Sequence, residues 1–264
     1  MTEIKFPNTD SLVTKEHPDS LAAEAFRILR TNLSLRDFDS ELQVINVISP
    51  TQGESKSTVA LNLAYVYSQL GKKVLLMDLD LRLPSIYKKL KIRNKEGITD
   101  ILTRKIDFSQ AVIHYDYYFD ILLAGTKTLY ASELIQSQVF KKYLDAIKSV
   151  YQIIIIDCPP INMVTDGMIT STLADGTIMC VAVNHDDKND LIKAKDTIEQ
   201  FNINMLGIVL TRVPQNKKAY SKEYGYGYGY GYGYGYGHKA ESKKKKWLTS
   251  IPIYCQVLMM VLVQ

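Results

Sequence analysis

VINVISPTQGESKSTVALNL, residues 44–63, passes from an apolar run through a short polar turn into a helical pattern. A strand, loop and helix in that order bring backbone N–H groups and a helix N-terminus to one point, a concavity that suits a polyphosphate. Pro50 to Ser57 therefore reads as a phosphate-binding loop. Lys56 would reach the β- and γ-phosphates as a mobile point charge, while the Ser57 hydroxyl would sit on Mg²⁺ as it opens the helix. At an effective dielectric near 20, a lysine–phosphate charge pair about 4 Å apart is worth roughly 4 kcal/mol. The usual pattern G-x-x-x-x-G-K-[ST] has glycine just before the lysine, where this chain has Ser55, with Gly53 the nearby glycine. That position is expected to need a conformation costly for anything but glycine. Taken alone, the stretch also reads as a serine-rich turn ahead of a buried helix.

Two further stretches end on strands expected to neighbour the loop. VLLMDLDLR, residues 74–82, delivers Asp78 and Asp80, with Arg82 two residues on; IIIIDCPP, residues 153–160, ends a four-isoleucine strand in Asp157. Carboxylates at strand ends facing a triphosphate make sense with a cation between them, and Mg²⁺ takes one or two carboxylates plus phosphate oxygens and water. Any one of these aspartates also reads as a plain helix cap. Together, three Asp, one Lys and one Ser on matching strand ends point to a nucleotide site.

Outward from these motifs the chain alternates strands and helices. Strands are expected at 44–48, 73–77, 119–124, 153–156, 176–183 and 205–211, and helices to about Leu70, over 132–150 and over 188–201. Four consecutive isoleucines suit a central parallel strand covered on both faces. Right-handed crossovers then give one α/β domain, P-loop NTPase-like, with a mostly parallel sheet flanked by helices and a ligand at the strands' C-terminal edge. Upstream, residues 1–18 read as a polar arm. Asp19 or Ser20 caps a helix to about Leu35, with Leu21, Ala25, Ile28, Leu29 and Leu33 on one face and Glu24, Arg27 and Arg30 opposite, either as solvated charges or as an interface. The expected division is 1–40 for arm and helix, 41–213 for the domain, 214–242 for a flexible tyrosine-rich tail and 243–264 for a basic and apolar end of no assigned role.

Composition narrows the classes. The 264 residues are 46% hydrophobic with a net charge of +4, enough for one substantial core and too mild a charge to imply nucleic acid. Cys158, Cys180 and Cys255 show neither disulfide-framework nor metal-ligand spacing, which fits a reducing cytoplasm. No signal-peptide pattern opens the chain, and no run reaches the roughly 18 apolar residues of a membrane span. In the tail, Tyr224, Tyr226, Tyr228, Tyr230, Tyr232, Tyr234 and Tyr236 alternate strictly with glycine. On composition alone that is a sticky low-complexity segment.

The combination of EAFRILRTNL (24–33), QGESKST (52–58), MDLDLR (77–82), IIIDCPP (154–160) and the tyrosine cluster resembles the cytoplasmic tyrosine kinases of bacterial capsule and exopolysaccharide synthesis, over about Ser20 to Tyr236. The resemblance implies ATP and Mg²⁺ as cofactors, with Gly53, Glu54, Ser55, Lys56, Ser57 and Thr58 around the nucleotide. It implies Ser57, Asp80 and Asp157 at the metal, directly or through water. Lys56, Asp78, Asp80 and Arg82 would be catalytic, with Asp78 accepting the tyrosine proton. It further implies autophosphorylation of the tail and control of polysaccharide synthesis and export. Glu24, Arg27 and Arg30 match the E-x-x-R-x-x-R element of a ring-shaped homo-oligomer. The implied partners are a membrane-anchored polysaccharide co-polymerase adaptor, which would hold the kinase at the inner face of the plasma membrane, and a cognate tyrosine phosphatase. Gln52, Ser55, Tyr130 and Ala131 depart from the family pattern. Two rivals use the same residues: a partitioning or cell-division ATPase switch, whose second lysine is replaced by Thr51, and a non-catalytic oligomeric scaffold.

Overall fold

The computed structural model describes residues 12–35, 42–183, 185 and 187–213, together with the backbone of 258–260. In chain order its elements are α1 (Val13–Glu16), α2 (Leu21–Leu35), β1 (Val44–Ile48), α3 (Lys56–Ser68), β2 (Val74–Asp78), α4 (Ile86–Lys89), α5 (Ile98–Leu102), α6 (Phe108–Ala111), β3 (Val112–Asp116), β4 (Phe119–Leu122), α7 (Ala131–Gln136), α8 (Gln138–Lys148), β5 (Ile153–Asp157), α9 (Asp166–Leu173), β6 (Gly176–Ala182), α10 (Lys188–Gln200), β7 (Met205–Thr211) and β8 (Leu258–Met260). The strands form one sheet in the order β3-β4-β2-β5-β1-β6-β7-β8. The six inner strands are parallel, and β3 and β8 close the edges antiparallel.

The inner strands are apolar throughout because both faces of the sheet are covered. Side chains alternate between the two faces. Ile45, Val47, Leu76, Ile153 and Ile155 pack with Leu61 and Tyr65 of α3 and with Phe26, Leu29 and Leu33 of α2. Val44, Ile48, Leu75, Met77, Ile154 and Ile156 pack with Phe140, Leu144 and Ile147 of α8. Each such isoleucine, fully buried, contributes about 1.5–3 kcal/mol of transfer free energy. Helix α3 is buried all round, from Ser57 to Ser68, because α1 and α2 roof it against the sheet.

Three expectations change here. The inward face of α2 is Ala23, Phe26, Leu29 and Leu33, while Leu21 and Ile28 are exposed. Ser20 caps the helix, its Oγ accepting the Ala23 N–H at 3.1 Å. Because α2 shares a core with the sheet, residue 40 is no boundary in the packing. The helix expected over 132–150 is two, broken at Ser137, whose extended backbone and Oγ, accepting from Phe140 N–H, start α8 afresh. The short elements α1, α4, α5, α6, β3 and α9 were not anticipated.

Candidate active site

Strand β1 lies between β5 and β6, and its outgoing crossover to β2 runs opposite to the crossover joining β5 to β6. The crevice at such a switch point, beyond the strands' C-terminal ends, is where open α/β sheets take ligands. The loop after β1 occupies it. Ser55 has φ +64° and ψ +17°, and Gly53 has φ +82°. The position before Lys56 is thus left-handed, as the missing glycine led one to expect, and a serine holds it.

What holds the loop is Glu54. Its buried carboxylate accepts from Thr51 N–H at 2.7 Å and Thr51 Oγ at 3.2 Å through one oxygen, and from Ala182 N–H at the end of β6, at 3.1 Å, through the other. Thr211 Oγ at the end of β7 donates to the Glu54 carbonyl at 3.0 Å. His185 Nε2 donates to the Gln52 carbonyl at 2.7 Å, and the Arg212 guanidinium donates to the Gly53 carbonyl. A Cβ at Gly53 would stand 3.2 Å from His185 Nε2, so both φ and space favour glycine there. The Glu54 side chain thus grips the loop from behind. Thr211, Arg212, Ala182 and His185 were not singled out from the sequence. They lie 125 or more residues downstream of the loop, and no local pattern marks them.

In front of the loop, Lys56 Nζ lies 3.1 Å from Asp80 Oδ2, with side chains only 13% and 7% exposed. Burial works against the charge on Lys56, but Asp157, Asp80 and Asp78 outweigh it and hold the ammonium above the usual lysine pKa. Asp157 is fully buried, and neither carboxylate oxygen has a hydrogen-bond partner of ordinary geometry. Burial pushes its pKa up, against the pull of Lys56 and of the Ser57 hydroxyl, which lies near without completing a bond of normal geometry. A carboxylate left unpartnered in the interior is costly unless something else satisfies it. Its oxygens, the nearby Ser57 hydroxyl and Asp80 are a hard oxygen donor set of the kind Mg²⁺ takes, with phosphate and water filling the other positions. Among the described residues no group of three or more His, Cys, Asp or Glu side chains stands close enough to hold a metal by itself. Thr58, one residue on from Ser57, is buried in the first turn of α3.

Asp78 is fully buried. It accepts from Asp80 N–H at 3.2 Å through Oδ1, and from Ser85 N–H at 3.3 Å and Ile86 N–H at 3.2 Å through Oδ2, so it also caps α4. Burial first, then the charges of Asp157 and Asp80, drive its pKa well above the carboxylate range, against the Ile86 N–H and Lys56. Three backbone donors leave one of its roughly four lone-pair sites open.

Arg82, at the end of the same motif, bonds away from the Lys56–Asp80 pair. Its Nε donates to Asp166 Oδ2 at 2.9 Å and its Nη2 to Ser132 Oγ at 3.0 Å. Asp166, fully buried at the start of α9, also accepts from Ser132 Oγ. Arg82 therefore ties the loop after β2 to α7 and α9.

On α2, Arg27 pairs with Glu24 at 2.8 Å, and Arg30 donates to the Val66 carbonyl of α3 at 2.9 Å. Two of the three expected interface residues are thus engaged with each other, and Arg30 with its own chain. Tyr224 to Tyr236, Lys243 to Lys246 and Cys255 lie outside the described residues. No helix among the described residues is long and apolar enough to cross a membrane.

A family model described as an AAA domain matches residues 42–206. Tyrosine-protein kinase YwqD of Bacillus subtilis (strain 168) is 33% identical over 218 residues, covering 81% of this chain and 90% of the relative. Tyrosine-protein kinase CpsD of Streptococcus agalactiae is 30% identical over 204 residues, covering 76% and 88%. Among solved structures, the chimerical protein CapA2B2 matches with a TM-score of 0.74 at 32% identity, covering 81% of this chain and 97% of that one. The kinase domain of the Escherichia coli tyrosine kinase ETK matches in fold with a TM-score of 0.73 at 24% identity, covering 88% and 89%.

Proposed function

This chain belongs to the AAA domain family and, within it, to the bacterial tyrosine-protein kinases, and from that premise we propose that it transfers the γ-phosphoryl group of ATP to the tyrosines of its own tail, Tyr224 to Tyr236. The observation that carries the reading is the unpartnered, fully buried Asp157 beside Ser57, at the head of the helix that presents Lys56.

The roles follow from position. Lys56, held charged by three carboxylates, meets the β- and γ-phosphates. The N–H groups of 53–58 face the same anion from a loop whose shape Glu54 fixes. Asp157, Asp80 and Ser57 hold Mg²⁺ directly or through water. When bound, Mg²⁺ neutralises charge on the transferring phosphoryl group. Asp78 receives the phenol proton: a tyrosine with a free pKa near 10 arrives protonated, and a carboxylate raised by burial is the stronger base. Most of the rate comes from positioning and electrostatics rather than covalent chemistry.

The expected setting is the cytoplasmic face of the plasma membrane, in a homo-oligomer that meets a membrane-anchored adaptor, is reset by a tyrosine phosphatase and controls capsule or exopolysaccharide assembly. Radiolabelled ATP given to the full chain, the Lys56→Met variant and a form ending at residue 213 tests the reading. Label on the tail of the parent chain alone supports it. Free phosphate without label marks an ATPase switch, and neither product marks a scaffold.

A further inference from the structure

We propose that the cationic strip at residues 88–95 is a docking site for phosphotyrosine already formed on the tail, so that acceptors are modified in succession without release; this rests on the kinase reading above. KKLKIRNK places Lys88, Lys89, Lys91, Arg93 and Lys95 within eight residues. Lys88, Lys91, Arg93 and Lys95 are exposed. Lys95 meets its own neighbour Glu96 at 3.6 Å, and among the described residues no carboxylate pairs with Lys88, Lys91 or Arg93.

The strip is fixed in place rather than a loose arm. Ile86 is buried, and Leu90 and Ile92 pack against the core. Leu90 N–H bonds to the Ile86 carbonyl at 3.0 Å and Ile92 N–H to the Tyr87 carbonyl at 3.0 Å. At the far end the Asn94 amide exchanges two hydrogen bonds with Gly125, Nδ2 to the carbonyl at 3.0 Å and Oδ1 from the N–H at 2.9 Å. Its near end is the turn capped by Asp78, and the charge of Lys89 is felt at Asp157. A preorganised row of cations thus begins at the rim of the site.

The complementary partner is a phosphate ester on the tail. Between Tyr224 and Gly237 the sequence has no charged residue, so an unmodified tail has nothing to offer the strip. Each phosphotyrosine brings a charge of about −1.5 to −2. Strict Tyr-Gly alternation puts an identical acceptor about every 6.6 Å of extended chain, so a phosphate captured anywhere leaves a fresh tyrosine at the same tether length.

The test uses the full chain and its Lys91→Glu/Arg93→Glu/Lys95→Glu variant, none of whose changes touches the nucleotide site. Substrates are a synthetic peptide of seven Tyr-Gly units and the same peptide carrying one phosphotyrosine, with products resolved by mass. The parent chain should modify the primed peptide several-fold faster and give multiply phosphorylated species while most peptide is still untouched. The variant should match the parent on the unprimed peptide but lose the priming advantage and bind the primed peptide roughly tenfold more weakly. Equal rates on both peptides, or priming retained in the variant, overturn the proposal while leaving the kinase reading intact. No label on either peptide or on the tail overturns both. If the variant instead loses binding to phosphatidylserine vesicles and keeps priming, the strip serves a membrane surface and the proposal falls.

Discussion

Replacing Lys56 with methionine keeps the length and bulk of the side chain but leaves Asp80, whose Oδ2 stands 3.1 Å from Nζ, beside Asp157 and Asp78 with no cation among them. Removing one partner of a buried ion pair costs about 3–5 kcal/mol, and the 13% exposure of Lys56 puts the loss near the lower bound. At roughly 2–4 °C per kcal/mol for a chain of this size, Tm should fall by about 6–12 °C. The pH dependence distinguishes this cause from lost packing. Asp78 and Asp157 have folded pKa values raised by burial, so their contribution is favourable below the unfolded carboxylate pKa and is lost as pH rises through the folded one. Lys56 opposes that rise in both. Without it the folded values climb further, so the deficit of the variant should be largest at pH 8 and shrink toward pH 5 as the carboxyl groups take up protons. Urea titrations at pH 5, 6, 7 and 8 measure it, and adding Asp80→Asn to Lys56→Met should recover at least about 1 kcal/mol at pH 8, since a charge no longer goes unpaired. A variant as stable as the parent at pH 8, or one equally weakened at every pH, would refute the electrostatic account.

Other substitutions probe the neighbouring features. Ser55→Gly should raise the urea midpoint by about 1 kcal/mol in free energy, because a left-handed residue with a Cβ carries a penalty of that size. A loss of stability would mean that the serine side chain contributes more than its strain. Asp157→Asn removes a buried charge that lacks a partner and should stabilise the ligand-free chain by about 1–2 kcal/mol at pH 8 while flattening its pH dependence. Calorimetry should show Mg²⁺-dependent ATP binding at least about tenfold weaker in that variant. Arg82→Met strands the fully buried Asp166 and should cost about 2–3 kcal/mol by thermal denaturation, most of it restored by adding Asp166→Asn; no restoration would show that Arg82 acts through packing alone.

The central strands were legible because burial on both faces writes itself as unbroken apolar runs, and β1 and β7 have the expected limits. Helix α2 was harder. Leu21 and Ile28 on one side and Ala23 and Phe26 on the other are both apolar stripes, and only the position of α3 decides which turns inward. Ser137 ends one helix and starts the next within a pattern that stays periodic across it. Elements of four or five residues, such as α1 and α4, are too short for periodicity to register. In the site, Asp78, Asp80 and Asp157 stand out because apolar strands run up to them, and Lys56 because it opens the helix after the loop. The turn of Arg82 toward Asp166 could not be read, because its partner lies 84 residues away and nothing local favours one carboxylate over another.

Glu54 fastens the phosphate-binding turn to the tips of two strands, its carboxylate to β6 and its backbone carbonyl to β7 through the hydroxyl of Thr211. A turn so moored has given up its conformational freedom during folding, so little is left to surrender when an anion arrives. Nucleotide capture should therefore run nearer the speed of encounter than that of loop rearrangement, and release should be governed by the strength of the contacts rather than by any opening of the cradle.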